Sequence, residues 1–396
     1  MATSFQLFEN LTDSGRAEIA DAERATRQHA AECCFTAIQA YWEACALANS
    51  PSFSLPLPPS GTIGRIARAD AHAAQLGRSA AAMPDAAAAF VLSSLYASML
   101  PAAYRSAHGV FYTPPALVDR LLALATESGF DWETGRVLDP ACGGGAFIAP
   151  VAARMAMHCR QQGLSARATL REITSRIAGI ELDPFAGWMS YVFMLRAIRE
   201  IIKEAGEGVP LPVVNASDAL AAPSRAAAEG YDLVVGNPPY GKVTLTRSAR
   251  ARFGSSLYGH ANLYGLFTHL ALDLVKPDGL IAYVTPTSFL GGQYFKNLRR
   301  LMARCAPPGR IDFIADRIGV FSDVLQETLL VVYRKQCEIT PRPARKVALH
   351  VVKPFDGGLS CEVTQIGSLQ RQGEPSGPWI FPRDRSQVPL FRKFSE

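Results

Sequence analysis

The chain has 396 residues, of which 48% are hydrophobic and 19% charged, with a mean hydropathy of +0.07. That composition excludes disorder along the whole chain and allows one large core with satellites. No uninterrupted apolar run reaches membrane length, and eight scattered cysteines without a CxxC pair signal neither a zinc site nor a disulfide framework.

The N-terminus, MATSFQLFENLTDSGRAE, has early acids and no leader-like apolar block, so a cytoplasmic protein is expected. Residues 1–107 read as a helical region. AERATRQHAAECCFTAIQAYWEACAL (22–47) is a long amphipathic pattern. PSFSLPLPPSG (51–61) breaks it, and IARADAHAAQLG and DAAAAFVLSSLYASML predict two more helices.

From residue 108 to 335 the rhythm changes. RVLDPA, RIAGIELD, VPLPVVNASD, YDLVVGNPP, GLIAYVTP, IDFIADR and ETLLVVYR are short strands separated by helical stretches, the pattern of an α/β domain with a largely parallel sheet. Residues 336–396 read as a short α+β region with mixed strands such as KVALHVVKPF. The net charge of +5 sits in this tail. From Arg334 onward 11 basic residues face 6 acidic ones, whereas the first 333 residues carry 29 of each. A solvated end and a surface facing a polyanion both fit so small an excess.

VLDPACGGGAFIAPVAARM (137–155) predicts a strand ending at Asp139, a turn through Gly143, Gly144 and Gly145, and a helix from about Ala146. Glycines let a backbone approach a ligand closely, and the amides of the helix start can face an anion. One glycine would suffice for a plain tight turn. The sixth position of the run is Ile148, so this is not the dinucleotide GxGxxG pattern. The next strand ends in GIELD, placing Glu181 where an acid can hold two ribose hydroxyls. A third strand runs into NASDAL, where Asp218 can accept from an adenine amino group. Asp183 and Asp218 each also sit where helix caps occur. Ligands of open α/β sheets lie at the carboxyl ends of such strands.

YDLVVGNPPYGK (231–242) leaves a buried-looking strand for a rigid polar loop. Asn237 offers a side-chain carbonyl, Pro238 a backbone carbonyl without a competing N–H, and Pro239 stiffens the segment. Tyr240 adds an aromatic face. Alone, the stretch suits a rigid turn capped by an aromatic.

Taken together, DPACGGGAFI, ELDP, SDAL and GNPPYGK resemble the S-adenosylmethionine-dependent DNA amino-methyltransferases. The resemblance is closest to the adenine-N6 group of gamma motif order, the TaqI-like and Eco57I-like type II modification methylases. GVFYTPPALVDRLL (109–122), the stretch 262–290 and VFSDVLQETLLVVYR (320–334) are similar to that group as well, so the likeness spans about 108–335.

The resemblance implies a Rossmann-like class I methyltransferase fold with a mainly parallel seven-stranded sheet. It implies S-adenosylmethionine as cofactor, S-adenosylhomocysteine as product and double-stranded DNA as substrate. Thr113, Asp139, Pro140, Ala141, Gly143, Gly144, Gly145, Glu181, Asp218 and Asn237 would line the cofactor site. Phe185 is a weaker candidate for a wall beside the adenine. Asn237, Pro238, Pro239 and Tyr240 would form the catalytic loop, with Tyr240 and Phe321 stacking on a flipped base and Lys242 and Arg247 touching phosphate. A cognate restriction endonuclease, a bacterial or phage source, and a monomer or weak dimer follow from the same likeness. Cytosine-N4 methylation, protein glutamine-N5 methylation and a non-catalytic nucleic-acid module are the rival readings. The likeness also implies that 108–335 is the catalytic domain and 336–396 a short or truncated target-recognition region, where the family has a sizeable one.

Overall fold

A computed structural model describes residues 2–45, 53–64, 70–108, 112–206, 208, 210, 212–221, 230–315, 327–336, 346–370 and 374–393. The N-terminal part is helical: α1 (Ala2–Ala44), α2 (Ala71–Ala80), α3 (Asp85–Met99) and α4 (Ala102–His108). The central part then alternates as α5 (Pro115–Glu127), β1 (Val137–Asp139), α6 (Ile148–Gln161), α7 (Ala166–Arg176), β2 (Ile177–Glu181), α8 (Pro184–Ala197), α9 (Arg199–Ala205), β3 (Val214–Ala216) and β4 (Tyr231–Gly236). After the polar loop come β5 (Lys242–Val243), α10 (Arg247–Arg252), β6 (Ala261–Asn262), α11 (Leu263–Leu274), β7 (Val275–Pro286), α12 (Ser288–Gly291), α13 (Lys296–Cys305), β8 (Pro308–Ile314) and β9 (Thr328–Arg334). The chain closes with β10 (Lys346–Phe355), β11 (Ser360–Gln370) and α14 (Val388–Lys393).

Nine of these strands form one sheet in the order β11-β10-β8-β9-β7-β4-β1-β2-β3. β3, β2, β1, β4 and β7 run parallel, and β9 is antiparallel to both its neighbours. The seven strands from β8 to β3 are the mostly parallel sheet of a class I, Rossmann-like methyltransferase core. β10 and β11, from the segment after 336, lengthen that sheet by pairing β10 with β8. The two outermost strands differ: β3 has three residues, whereas β10 and β11 pair over ten rows with a register shift at Leu349/His350.

Alternation along the strands divides the core into two layers. Val137, Leu233, Val235, Leu280, Ala282 and Val284 face one cluster with α5, α6 and α8. Leu138, Val234, Ile281 and Tyr283 face the other, with α11 and α13. This is the period of two expected of a sheet covered on both faces.

The N-terminal helices pack on the first layer. Tyr41 and Trp42 of α1 are 1% exposed, and the Tyr41 hydroxyl accepts from Arg196 of α8 at 3.0 Å. The α1 helix begins well before the amphipathic stretch that predicts it. The described cysteines are free thiols. Among the described residues no helix is long and apolar enough to cross a membrane.

One buried charge ties the C-terminal segment to the core. Arg299 of α13, 2% exposed, donates to four backbone carbonyls: Gly377 and Gly292 at 2.7 Å, Phe289 and Ser376 at 3.0 Å. Beside it the Trp379 ring meets Phe289 edge-on, with centroids 5.2 Å apart. Buried acceptors left without a donor cost about 1–3 kcal/mol each before relaxation and water entry. Arg299→Met should therefore lower unfolding free energy by roughly 3 kcal/mol in urea titration and release the 374–393 segment to limited proteolysis.

Candidate functional site

Parallel register brings the chemistry together. Pairing of Leu138 with both Ala178 and Val234 aligns the carboxyl ends of β1, β2 and β4. Asp139, Glu181 and Asn237 therefore emerge at one edge, with Asp218 just past β3. Between them lies a cavity of about 320 Å³ lined by Thr113, Asp139, Gly143, Glu181, Asp218 and Asn237 among others. β1 is the strand flanked by both halves of the sheet, so this is the crevice where the strand order reverses.

Asp139 is 1% exposed. Its Oδ1 accepts from the Ala141 N–H at 3.1 Å, and its Oδ2 is buried with no partner among the described residues. Burial pushes its carboxyl up to about 8; the Ala141 bond opposes this and the Glu181 charge adds to it. The neighbouring strand comes so close that a Cβ at Gly236 would lie 2.6 Å from Asp139 Oδ1.

Glu181 is held on both oxygens. Oε2 accepts from Gly143 N–H at 2.8 Å and Oε1 from Asp183 N–H at 2.9 Å. Burial raises its carboxyl, and these two amides pull the other way. Asp183 caps α8 through Phe185 and Ala186 N–H groups, and Asp218 accepts from Leu220 N–H at 2.8 Å in a turn. Gly145 has φ +86°, and a Cβ there would sit 2.6 Å from Ser190 Cα, so the loop needs glycine at that position for space as well as conformation. The helix after the glycines begins at Ile148, two residues later than the sequence suggests.

The structure separates the sequence candidates. Thr113, Pro140, Ala141, Gly143, Glu181, Asp218, Asn237 and Pro239 line the cavity with Asp139. Gly144 and Gly145 instead line a second, mainly apolar cavity of about 290 Å³ behind the loop, bounded by α3, α5, α6 and α8. Phe185, the weaker candidate for the adenine wall, is 1% exposed and packs on Tyr96 and Trp188 in the core. Leu182, 56% exposed, lines the cavity in its place. Lys242 and Arg247 are exposed at the start of β5 and of α10. Phe321 lies outside the described residues.

Tyr240 differs most from expectation. Its ring is not an open face: it is 8% exposed and meets Tyr264 edge-on at 6.1 Å. Its hydroxyl lies 2.5 Å from Asn237 Oδ1 and 3.3 Å from the Val284 carbonyl. An apolar ring gains by entering the second core layer when its hydroxyl finds an acceptor there. Burial pushes the phenol well above its ordinary value, so the hydroxyl remains a donor, and the nearer of the two acceptors is the Asn237 carbonyl.

Residues 190–319 match the sequence model of the Eco57I restriction-modification methylases, a stretch that contains Asn237 to Tyr240. The chain is 27% identical over 210 residues to the type II methyltransferase M.BstVI of Geobacillus stearothermophilus, covering 49% of this chain and 36% of that one. It is 27% identical over 307 residues to the type II methyltransferase M.PaeR7I of Pseudomonas aeruginosa, covering 72% and 52%. The chain thus spans about a third to a half of the length of these relatives. Among solved structures, the DrdV–DNA complex aligns with TM-score 0.56 at 15% identity, covering 77% of this chain and 35% of that one. The type ISP restriction-modification enzyme LlaGI, as a nuclease-deletion mutant with a DNA substrate mimic, aligns with TM-score 0.57 at 13% identity, covering 96% and 38%. At such identities the structural likeness speaks for a shared fold alone.

Asp139 gives a pH test. Its carboxyl sits at about 8 in the fold against 3.8 for the ordinary group. Between those values the folded state binds a proton that the unfolded chain has released, so this contribution to stability is complete below about pH 4 and lost as pH rises to about 8. The thermal midpoint of the ligand-free protein should fall from about pH 5 to about pH 8. Asp139→Asn, which keeps an acceptor for Ala141, should flatten that slope.

Proposed function

We propose that the chain binds S-adenosylmethionine in the cavity at the ends of β1, β2, β3 and β4 and methylates the exocyclic N6 of an adenine flipped out of double-stranded DNA. The observation that carries this reading is the placement of Asn237 at the rim of the cavity that holds Asp139 and Glu181.

The residues present fit such a ligand. Asp139 Oδ2 is buried with no partner among the described residues, so its carboxylate suits a ligand N–H or positive charge. Glu181 has both oxygens fixed by amides, so its remaining lone pairs face ribose hydroxyls in a set direction. Asp218 stands beyond it as an acceptor for an adenine amino group. Thr113, Pro140, Ala141 and Gly143 complete the lining. When bound, the sulfonium supplies an electrophilic methyl group.

The amine to be methylated is a poor nucleophile because its lone pair is delocalised into the ring. Asn237 Oδ1 and the Pro238 carbonyl accept its two N–H bonds and favour a tetrahedral nitrogen. The two prolines fix those acceptors before substrate arrives. Tyr240 contributes first by donating to Asn237 Oδ1, which sets the amide orientation and leaves one lone pair for the substrate. Stacking by Tyr240 requires its ring to leave Tyr264; Phe321 is the second proposed face. Lys242 and Arg247 position phosphate. A cognate endonuclease, a monomer or weak dimer, and a bacterial cytoplasmic setting belong to the same proposal.

Cytosine N4 presents the same amino group to the same acceptors, so the product decides. Incubation with labelled S-adenosylmethionine and duplex DNA, then nucleoside digestion, should yield N6-methyladenine. Label recovered only as N4-methylcytosine or in a protein glutamine would overturn the assignment. Asn237→Ala should lower kcat by about 100-fold or more while changing cofactor affinity only a few-fold. Tyr240→Phe, which keeps the ring but loses the Asn237 bond, should retain base-analogue fluorescence on flipping yet lower kcat by about 10-fold.

A further inference from the structure

The methyl-donor cavity is not built by the α/β core alone. Two of its walls come from the N-terminal helices: Tyr96 of α3 and Tyr104 of α4 line it beside Glu181 and Asp183. Tyr96 is 2% exposed, and its hydroxyl donates to Asp183 Oδ2 at 2.7 Å. Asp183 Oδ1 accepts from Phe185 and Ala186 N–H at 2.9 and 3.3 Å. The Asp183 N–H in turn donates to Glu181 Oε1. Asp183 therefore joins the two: its side chain accepts the α3 hydroxyl, and its own N–H holds the carboxylate set against Gly143.

These helices are fastened to the core at several points. Asp85 at the start of α3 pairs with Arg196 at 3.0 Å and Arg199 at 2.7 Å. Trp188 of α8 donates to the Pro56 carbonyl at 3.1 Å. Arg27 of α1 lies 4.9 Å above the Tyr104 ring and donates to its hydroxyl at 3.5 Å. Tyr104 is thereby held at the rim of the cavity.

Resting on the cofactor reading above, we propose that the N-terminal helical region is a working part of the methyl-donor site. Tyr96 is a positioning residue that fixes Glu181 through Asp183. Tyr104 is the outer wall against which the ribose and adenine of the donor rest. Asp183 is satisfied at its Oδ1 by the helix it caps, so its Oδ2 and its orientation depend on Tyr96. Without that hydroxyl the carboxylate turns to water and the Glu181 geometry loosens, with no loss of the acceptors around Asn237.

Titration calorimetry with S-adenosylhomocysteine, on the full chain, separates this idea from the reading beneath it. Wild type should bind. Tyr96→Phe should weaken binding about 10-fold, as loss of a bond to a charged group implies. Asp183→Asn, which keeps a helix-capping side chain, should weaken it similarly. The double variant should be no weaker than the worse single one, because both act through one bond. Tyr104→Ala should weaken binding at least about 3-fold. In turnover, Tyr96→Phe should raise the KM for the methyl donor with kcat within about 2-fold and DNA affinity unchanged. A purely structural tyrosine would instead lower the thermal midpoint and the active fraction at constant KM.

If wild type binds and both tyrosine variants bind equally well, the helical region has no part in the site and the cofactor reading stands; if the Tyr96 and Asp183 effects simply add, Tyr96 does not act on Glu181 through Asp183 and its positioning role is overturned. If wild type itself binds no S-adenosylhomocysteine, the cofactor reading falls and this inference falls with it. Should Tyr96→Phe fail to fold, Tyr104→Ala alone decides, since its ring sits at the rim.

Discussion

Val137 pairs with Ile177 on one side and Leu233 on the other, and the site depends on that shared register. A slip of one residue in either pairing would turn every side chain of the strand to the other face. Asp139 would leave the crevice, and the alternation that sends Val137 to one core layer and Leu138 to the other would fail. The burial of both layers therefore enforces the alignment of Asp139, Glu181 and Asn237. Stability and chemistry draw on the same hydrogen-bond ladder.

Much of this was legible in the sequence because the signals are local. Asp139, the three glycines and Glu181 stand at strand ends within a few residues of their strands, and the strand–helix rhythm places those ends at one edge. What was not legible depends on distant packing. Tyr240 reads as an aromatic next to two prolines; only the presence of Tyr264 and the Val284 carbonyl turns it inward. Phe185 reads as a wall candidate, but Tyr96, 89 positions earlier, takes it into the core. Gly144 and Gly145 belong to the same run as Gly143 yet face a different cavity, because Ser93 and Ser190 crowd the loop from behind. The lengthening of the sheet by β10 and β11 depends on which edge was free, a property of topology that no short motif carries.

The site also contrasts two ways of placing a polar group. Glu181 has its oxygens occupied by backbone amides, so its geometry is fixed by the main chain. Asp139 has one oxygen occupied and one without a partner among the described residues, an arrangement that penalises the charged form. The first group is rigid in advance; the second stores a penalty that binding can relieve. Asn237 stands between them, with one lone pair engaged by Tyr240 and the rest available.

The nine-stranded sheet ends in two unlike borders, and their difference bears on solubility. Among the described residues the β3 border has three residues, too few to recruit a foreign strand. The other border, β11, has eleven residues, and exposed Phe355, Leu359 and Val363 lie on its hairpin. Long apolar margins invite self-association, whereas bulges add twist and blunt it. The slippage at Leu349/His350 and the charge of Glu362 work as built-in safeguards along that margin against strand-by-strand self-association.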